Sequence, residues 1–322
     1  MCLSASCDTI EPSSSFETGL RLKICLLYFL FPGLSITKMV EKQGSYDLSL
    51  DGSFLQDLPP LIKRYTYHGK SQFFDILKTE SAHFKSSIKS SEFLLFHVSR
   101  ETIENIFDLR NEDEDPSISK LSTSFDKKEQ LLLVTMPSEP HSVAADVVNT
   151  MIRQTLVPMG LMTALHGYPG ANIEGEDRGK QPDYGWGPRR KVPGQPRNPS
   201  VTLEIAYSES DSKLNTDVRF WLNTDHGNAK ISLTLRIDRS RPQIRIEKWE
   251  RQDDRAHRSQ VIWVTKQGGQ IKVTDHPLLI PFESLFRYQP TFPREKDLEI
   301  SQQQLEEIAT TIWEVQWDQQ SS

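Results

Sequence analysis

The sequence predicts an α/β protein with a central mixed β-sheet flanked by helices and an irregular N-terminal extension, and three observations carry that expectation. From Pro140 onward, stretches with helical spacing alternate with stretches of strand spacing, which is the order of a layered α/β core. Ile231, Leu233, Leu235 and Ile237 alternate with Lys230, Ser232, Thr234 and Arg236, the period of a half-buried strand. Val201 to Tyr207, VTLEIAY, is apolar and β-branched enough to read as a mostly buried strand, yet it carries Glu204.

Taken in order, residues 1–38 differ from the rest, a Ser-rich acidic start followed by LRLKICLLYFLFPGLSI. The apolar core of that segment, Ile24 to Phe31, covers eight residues. It is too short to span a bilayer, and it lacks the basic start and small-residue cleavage site of a signal peptide. Met39 reads as the functional start, with 1–38 a poorly ordered extension, and the less favoured alternative is secretion or membrane anchoring through residues 22–36. Residues 39–129 read as a helical and irregular region. Within it, Phe73, Phe74, Leu77, Phe84 and Ile88 fall at helical spacing over Ser71 to Ile88, and Phe93 to Val98 reads as a strand. Ser99 can cap a helix through Leu109 with Ile103, Ile106 and Phe107 on one face, and the acidic patch Glu112 to Asp115 reads as a solvated loop.

The core is expected over residues 130–275. It opens with a strand, Gln130 to Thr135, and a helix that has Pro140 in its first turn. Val143, Val147 and Met151 share one stripe of that helix and Ala144, Val148, Ile152 and Leu156 the next, so it packs along most of its length. Met159 to His166 reads as a strand, Gly167 to Gly179 as a loop and Gln181 to Trp186 as a returning strand. After turns at Pro193-Gly194 and Pro199 come the Val201 strand and a helix over Asp211 to Asn223, with Leu214, Val218, Trp221 and Leu222 on one face. Ile244 and Ile246 begin the partner of the Ile231 strand, and strand signals follow at Gln260 to Thr265 and Gln270 to Val273. In the remaining segment, 276–322, Ser301 and Gln304 form a capping box ahead of a helix through about Trp317.

Composition bounds function. A chain of 322 residues can bury a sizeable core, and its net charge of -6 argues against a general nucleic-acid coat while leaving room for a local basic patch. Cys2, Cys7 and Cys25 are the only cysteines, so the body has neither a disulfide framework nor a cysteine-ligated metal. These features point to an intracellular protein, nuclear or cytoplasmic. Nucleophile elbows, phosphate-binding glycine loops, paired His motifs and Cys/His metal spacing are all absent from the sequence.

The constellation that remains is acidic. Asp183 follows Pro182 at a loop end, while Glu204 shares a strand face with Thr202 and Ala206, opposite Val201, Leu203, Ile205 and Tyr207. If the strand near Asp183 lies beside that of Glu204, the carboxylates can share a hard divalent cation able to polarise a phosphate oxygen. The alternative is structural, with Asp183 capping a turn and Glu204 paired to Arg236 or Lys230.

HSVAADVVNTMIRQ, KQPDYGW, PSVTLEIAYSES, the Asp217 and Trp221-Leu222 helix and IRIEKWE together resemble a dispersed fungal family related to the Uma2-type restriction endonucleases. That family lies within the PD-(D/E)XK nuclease superfamily. The resemblance spans about residues 130–250 and implies a restriction-endonuclease-like core, in which a helix precedes the Asp and Glu strands and a further helix and strand follow. It also implies a DNA-cutting hydrolase using Mg²⁺ or Mn²⁺ held by Asp183, Glu204 and the main-chain carbonyl of Ile205. In the superfamily a lysine stands two residues after the glutamate, where this chain has Ala206. In Uma2-like proteins the lysine is displaced to the following helix, which points to Lys213 as the catalytic cation ahead of Lys180 and Lys248. Arg178, Lys180, Arg189, Arg190, Lys191 and Arg197 are expected around the Asp183 loop, interleaved with acids, and His141 is expected to act locally at its helix start. Loss of catalysis with retention of the fold, giving a binding or interaction module, is the other expectation that Ala206 supports.

Overall fold

The computed structural model describes residues 47–50, 58, 62–87, 90–107, 122–136, 138–169, 173–174, 177–207 and 211–318, all within a compact unit of Ser45–Ser322. The expectations for residues 1–38, for Leu109 and for the acidic patch at 112–115 lie outside the described residues, as do those for the side chains of Ile106 and Phe107.

The first part of the chain supplies β1 (Asp47–Ser49), β2 (Lys63–Thr66), α1 (Lys70–Ser86) and β3 (Phe93–His97). Helix α1 buries Phe73, Leu77 and Phe84, as their spacing predicts. Ser99 does cap a helix, accepting from the Thr102 amide, but only Arg100–Thr102 is α-helical before the backbone widens into a π-turn over Ile103–Phe107. Strands β4 (Ser122–Asp126) and β5 (Leu131–Thr135) follow. The sequence of β4, STSFD, has no apolar alternation and gives no strand signal, yet it lies between two partner strands that bury it.

The core follows in the order the resemblance implies. Helix α2 (Glu139–Leu156) is capped by Ser138, and β6 (Leu165–Gly167) is shorter than expected because Met162–Ala164 forms a 3-10 turn ahead of it. The expected loop after it holds two short strands, β7 (Ile173–Glu174) and β8 (Arg178–Lys180), and β9 (Tyr184–Pro188) begins three residues later than predicted. Then come β10 (Val201–Ala206), α3 (Asp211–Leu222) and β11 (Ile231–Ile237). Strands β6, β9 and β10 pair antiparallel in turn, and α3 is the crossover that returns β11 parallel to β10. Two long strands, β12 (Gln243–Gln252) and β13 (Arg255–Gln267), extend the sheet, with β14 (Gln270–Val273) and β1 pairing to β13. The chain ends in the β15 (Leu278–Ile280) and β16 (Leu298–Ile300) pair, which brackets the short helix α4 (Phe282–Phe286), and in α5 (Gln302–Asp318). The Ser301 capping box forms as read: Gln304 N donates to Ser301 Oγ at 3.3 Å and Ser301 N donates to Gln304 Oε1 at 3.0 Å.

Two sheets result. The larger has the order β1-β13-β12-β11-β10-β9-β6, and the smaller runs β2-β3-β5-β4-β8-β7. One face of the larger sheet is apolar: Val201, Leu203, Ile205, Leu233, Leu235 and Ile246 pack against α2 and α5. The opposite face, covered by α3, is polar in cross-strand rows. Thr202 stands beside Ser232 and Trp249, Glu204 beside Thr234 and Glu247, and Ala206 beside Arg236 and Arg245. Among the described residues no helix is long and apolar enough to cross a membrane.

Strands β8 and β9 lie close in sequence but in different sheets, so residues 181–183 are the crossing between them. Gly179 makes the crossing possible, because a Cβ there would come within 2.2 Å of the fully buried Phe125 ring. Replacement by Val is expected to push β8 off the sheet at a cost of about 1–3 kcal/mol, read as a lower urea midpoint with unchanged slope.

Candidate functional site

Asp183 sits where the β9–β10 ladder stops at the Tyr184–Leu203 pair. Its Oδ2 accepts the Ile205 amide at 2.7 Å, so the side chain substitutes for the next strand residue. Its Oδ1 lies 3.1 Å from His141 Nε2, and the other nitrogen of that ring, Nδ1, lies 3.7 Å from Glu92 Oε2. Glu92 Oε1 accepts the Tyr207 amide at 3.0 Å, just past the end of β10.

Glu204 lies on the face of β10 that α3 covers. Its Oε1 accepts from Trp221 Nε1 and its Oε2 from Lys180 Nζ at 3.1 Å. The Lys180 ammonium also meets Asp217 Oδ1 at 3.0 Å and lies 5.6 Å from the centre of the Trp221 ring. Lys213, one turn earlier on α3, donates to that same Asp217 oxygen and rests over Phe93. Lys180 is 3% exposed and Lys213 5%. Asp217 and Glu204 are equally covered, at 3% each. Strands β8 and β10 and helix α3 thus deliver four charged groups into one dry volume.

Burial makes each charge costly, and the neighbours decide which survive. Burial lifts the Glu204 carboxyl well above its usual range; Lys180 opposes that, and the nearby Asp217 and Asp183 reinforce it. Burial acts upward on Asp183 too, but the His141 charge, Lys180 and the Ile205 amide outweigh it and hold the group below its usual value. Burial alone disfavours the His141 imidazolium, whereas Asp183 and Glu92 favour it and push its pKa up to about 10. The two lysines divide in the same way: Asp217 and Glu204 raise Lys180 despite burial, while Lys213 is lowered by burial with Lys180 adding repulsion.

Asp183, just before β9, therefore lies beside Glu204 and Ile205 of β10, and Ile205 is joined to Asp183 through its N–H. Lys213 reaches Asp217, and the lysine on Glu204 is Lys180. Lys248 pairs with Glu250 at 3.5 Å on β12, two strands from β10. Neither proposed structural partner engages Glu204, since Arg236 binds Asp211 and Lys230 is exposed. His141 does more than cap its helix, because its ring joins two buried acids. Of the expected basic ring, only Lys180 enters the site; Arg178 pairs with Asp126, and β9 carries Arg189 to Arg197 to the other end of the sheet. Sequence reading missed Asp217, Trp221 and Glu92 as site members. Lys213, Asp217 and Trp221 recur at four-residue steps along one helix face, a signal that was available. Glu92 has no local signal.

As arranged, the carboxylates do not fit a cation. All four oxygens of Asp183 and Glu204 already meet a protein donor, and among the described residues no group of three or more His, Cys, Asp or Glu is placed to hold a metal.

No family model matches the chain, and no curated protein does. Among solved structures it is similar to a candidate nuclease of the DUF820 family from Anabaena variabilis, at 15% identity and a TM-score of 0.32, over 59% of this chain and 90% of that one. So slight a likeness leaves the geometry of the site as the basis for function.

Two outcomes follow from the electrostatics. With a folded value near 10 against an ordinary 6.5, His141 contributes stability that is complete below pH 6.5 and is lost as pH rises toward 10. The stability gap between wild type and His141→Gln, from urea unfolding, should therefore be widest near pH 6 and close through that alkaline window. Lys180→Met strands Glu204 and Asp217 without their shared cation and should cost about 3–5 kcal/mol at neutral pH, with Glu204→Gln in the same chain recovering part of the loss.

Proposed function

We propose that the protein is a nuclease-fold binding module whose acid centre is neutralised by its own side chains and does not turn over phosphodiesters. The observation that supports this reading is that each oxygen of Asp183 and Glu204 already meets a protein donor, His141, the Ile205 amide, Trp221 or Lys180. A catalytic cation would have to compete with these donors, two of which carry positive charge themselves. Ala206, in the position where the resemblance calls for lysine, agrees with it.

A second reading is a Mg²⁺- or Mn²⁺-dependent nuclease using Asp183, Glu204 and the Ile205 carbonyl, with Lys213 as the cationic partner. The nearness of the two acids, Asp183 just before β9 and Glu204 on the adjacent β10, with a lysine already on Glu204, favours it. For that state His141 and Lys180 must give up the carboxylates, and Lys213 must exchange Asp217 for the acid pair.

The readings separate in a cleavage assay on supercoiled and single-stranded DNA with Mg²⁺ or Mn²⁺, run beside Asp183→Asn and Glu204→Gln proteins checked for folding by circular dichroism. The module reading expects wild type and variants to share the same background and calorimetry to detect no metal binding. Cation-dependent cleavage that falls by about a hundredfold or more in both folded variants overturns it.

A further inference from the structure

We propose that the surface formed by the loop after β9 and the segment before β16 binds the phosphate backbone of single-stranded nucleic acid, with Phe292 as a stacking platform for a base. It extends the binding-module reading by naming the partner, and it lies about 20 Å along the sheet from Asp183, six strand steps away.

Charge is the first observation. Arg189, Arg190, Lys191 and Arg197 are all exposed, and among the described residues none has an acidic partner. That sets them apart from the β12–β13 cations, where Arg241 is tied to Asp238, Arg251 to Asp254, and Arg258 to Glu247. A chain of net charge -6 has acids to spare, so four unpaired cations in nine residues are a local excess that phosphates can satisfy.

Rigidity is the second. The buried Arg287 guanidinium donates to the carbonyls of Asn228 at 3.0 Å, Pro199 at 3.3 Å and Asn198 at 3.4 Å, and to Gln195 Oε1 at 3.3 Å. This clamp holds the segment after α4 against the loop after β9. Tyr168 adds a bond from its hydroxyl to the Arg197 carbonyl at 2.7 Å, so the loop backbone is fixed while its cationic tips face solvent. A cation carried on a braced backbone loses less entropy on binding than one on a free loop.

The third observation points to bases. Phe292 is 57% exposed, and the Arg294 guanidinium carbon stands 5.6 Å from its ring centre, with Lys296 exposed two residues on. The acids of this segment are engaged by backbone amides: Glu295 Oε2 accepts those of Thr291 at 2.6 Å and Phe292 at 3.1 Å, and Asp297 Oδ1 accepts that of Phe282 at 2.8 Å. An exposed aromatic ring with an arginine beside it, on a segment clamped through Arg287 to the cationic loop, suits an unstacked base with its phosphates. An acidic peptide would use the cations and leave the ring idle.

The test is fluorescence anisotropy of the full chain with a fluorescein-labelled oligothymidine, a duplex of matching length and a polyglutamate peptide, over a series of salt concentrations. Arg190→Glu with Arg197→Glu should weaken oligothymidine binding by about tenfold or more and reduce the salt slope by ~0.7 for each phosphate no longer neutralised. Phe292→Ala should weaken it by at least about fivefold and leave duplex binding unchanged. Lys266→Glu with Lys272→Glu, an equal charge change on the β13–β14 hairpin, should have no effect. The proposal is overturned if wild type does not bind oligothymidine, if the hairpin control weakens binding equally, if Phe292→Ala has no effect, or if polyglutamate binds more tightly. Binding accompanied by metal-dependent cleavage would overturn the closed-centre reading and keep this surface; absence of both binding and cleavage would do the reverse.

Discussion

Lys180 is the point at which the two sheets depend on one another. It leaves the smaller sheet at the end of β8 and places its ammonium between Glu204 of the larger sheet and Asp217 of the helix covering that sheet. An ammonium this deeply covered survives only because two carboxylates face it, and those carboxylates would each carry a desolvation penalty without it. The same crossing sets Asp183 where the β9–β10 ladder ends. Sheet order, helix position and charge balance are therefore settled together within a few residues.

The larger sheet can carry this polar centre because its two faces have separate tasks. Val201, Leu203 and Ile205 belong to the continuous apolar layer under α2 and α5, which supplies most of the burial. The α3 face alternates with them residue by residue and is free to hold Thr202, Glu204 and the rows beyond them. The rows continue the pattern of paired charges: Glu247, one strand past Thr234, takes Arg258 at 2.8 Å and Trp249 Nε1 at 3.3 Å. Buried charges in this face are met by neighbours within the sheet, by the helix above it or, at Glu204, by Lys180 from the smaller sheet.

The sequence was legible where burial is periodic. The alternation in β11, the stripes of α2, the face of α3 and the Ser301 capping box all describe contacts made within a few residues, and each appears in the structure at or near its predicted bounds. It was not legible where a strand exists only through its partners. Ser122–Asp126 and Arg178–Lys180 have little strand character of their own and are held by β5 and by each other. The site divides along the same line. Asp183 and Glu204 stood out because carboxylates beside a buried strand are conspicuous, whereas Glu92 joins them through contacts about a hundred residues distant in sequence and nothing near it signals the role. Lys180 was visible as a residue but not as the partner of Glu204, since its approach depends on the change of sheet at 181–183.

Ala206 has a physical reason beyond the absence of a lysine. Its register partner on β11 is Arg236, whose own partner on β12 is Arg245, and both guanidiniums converge on one carboxylate, Asp211. A lysine at 206 would add a third cation to a row whose two guanidiniums already share Asp211, and like charges directly across a sheet repel. The small side chain keeps that row balanced. With the strand position closed to it, the cation that serves Glu204 has to arrive from outside the sheet, and the β8 crossing provides it from the opposite side. A cation delivered that way lies between two acids and under an indole, bound into the core, where it fixes the packing of sheet against helix and holds Glu204 turned away from solvent.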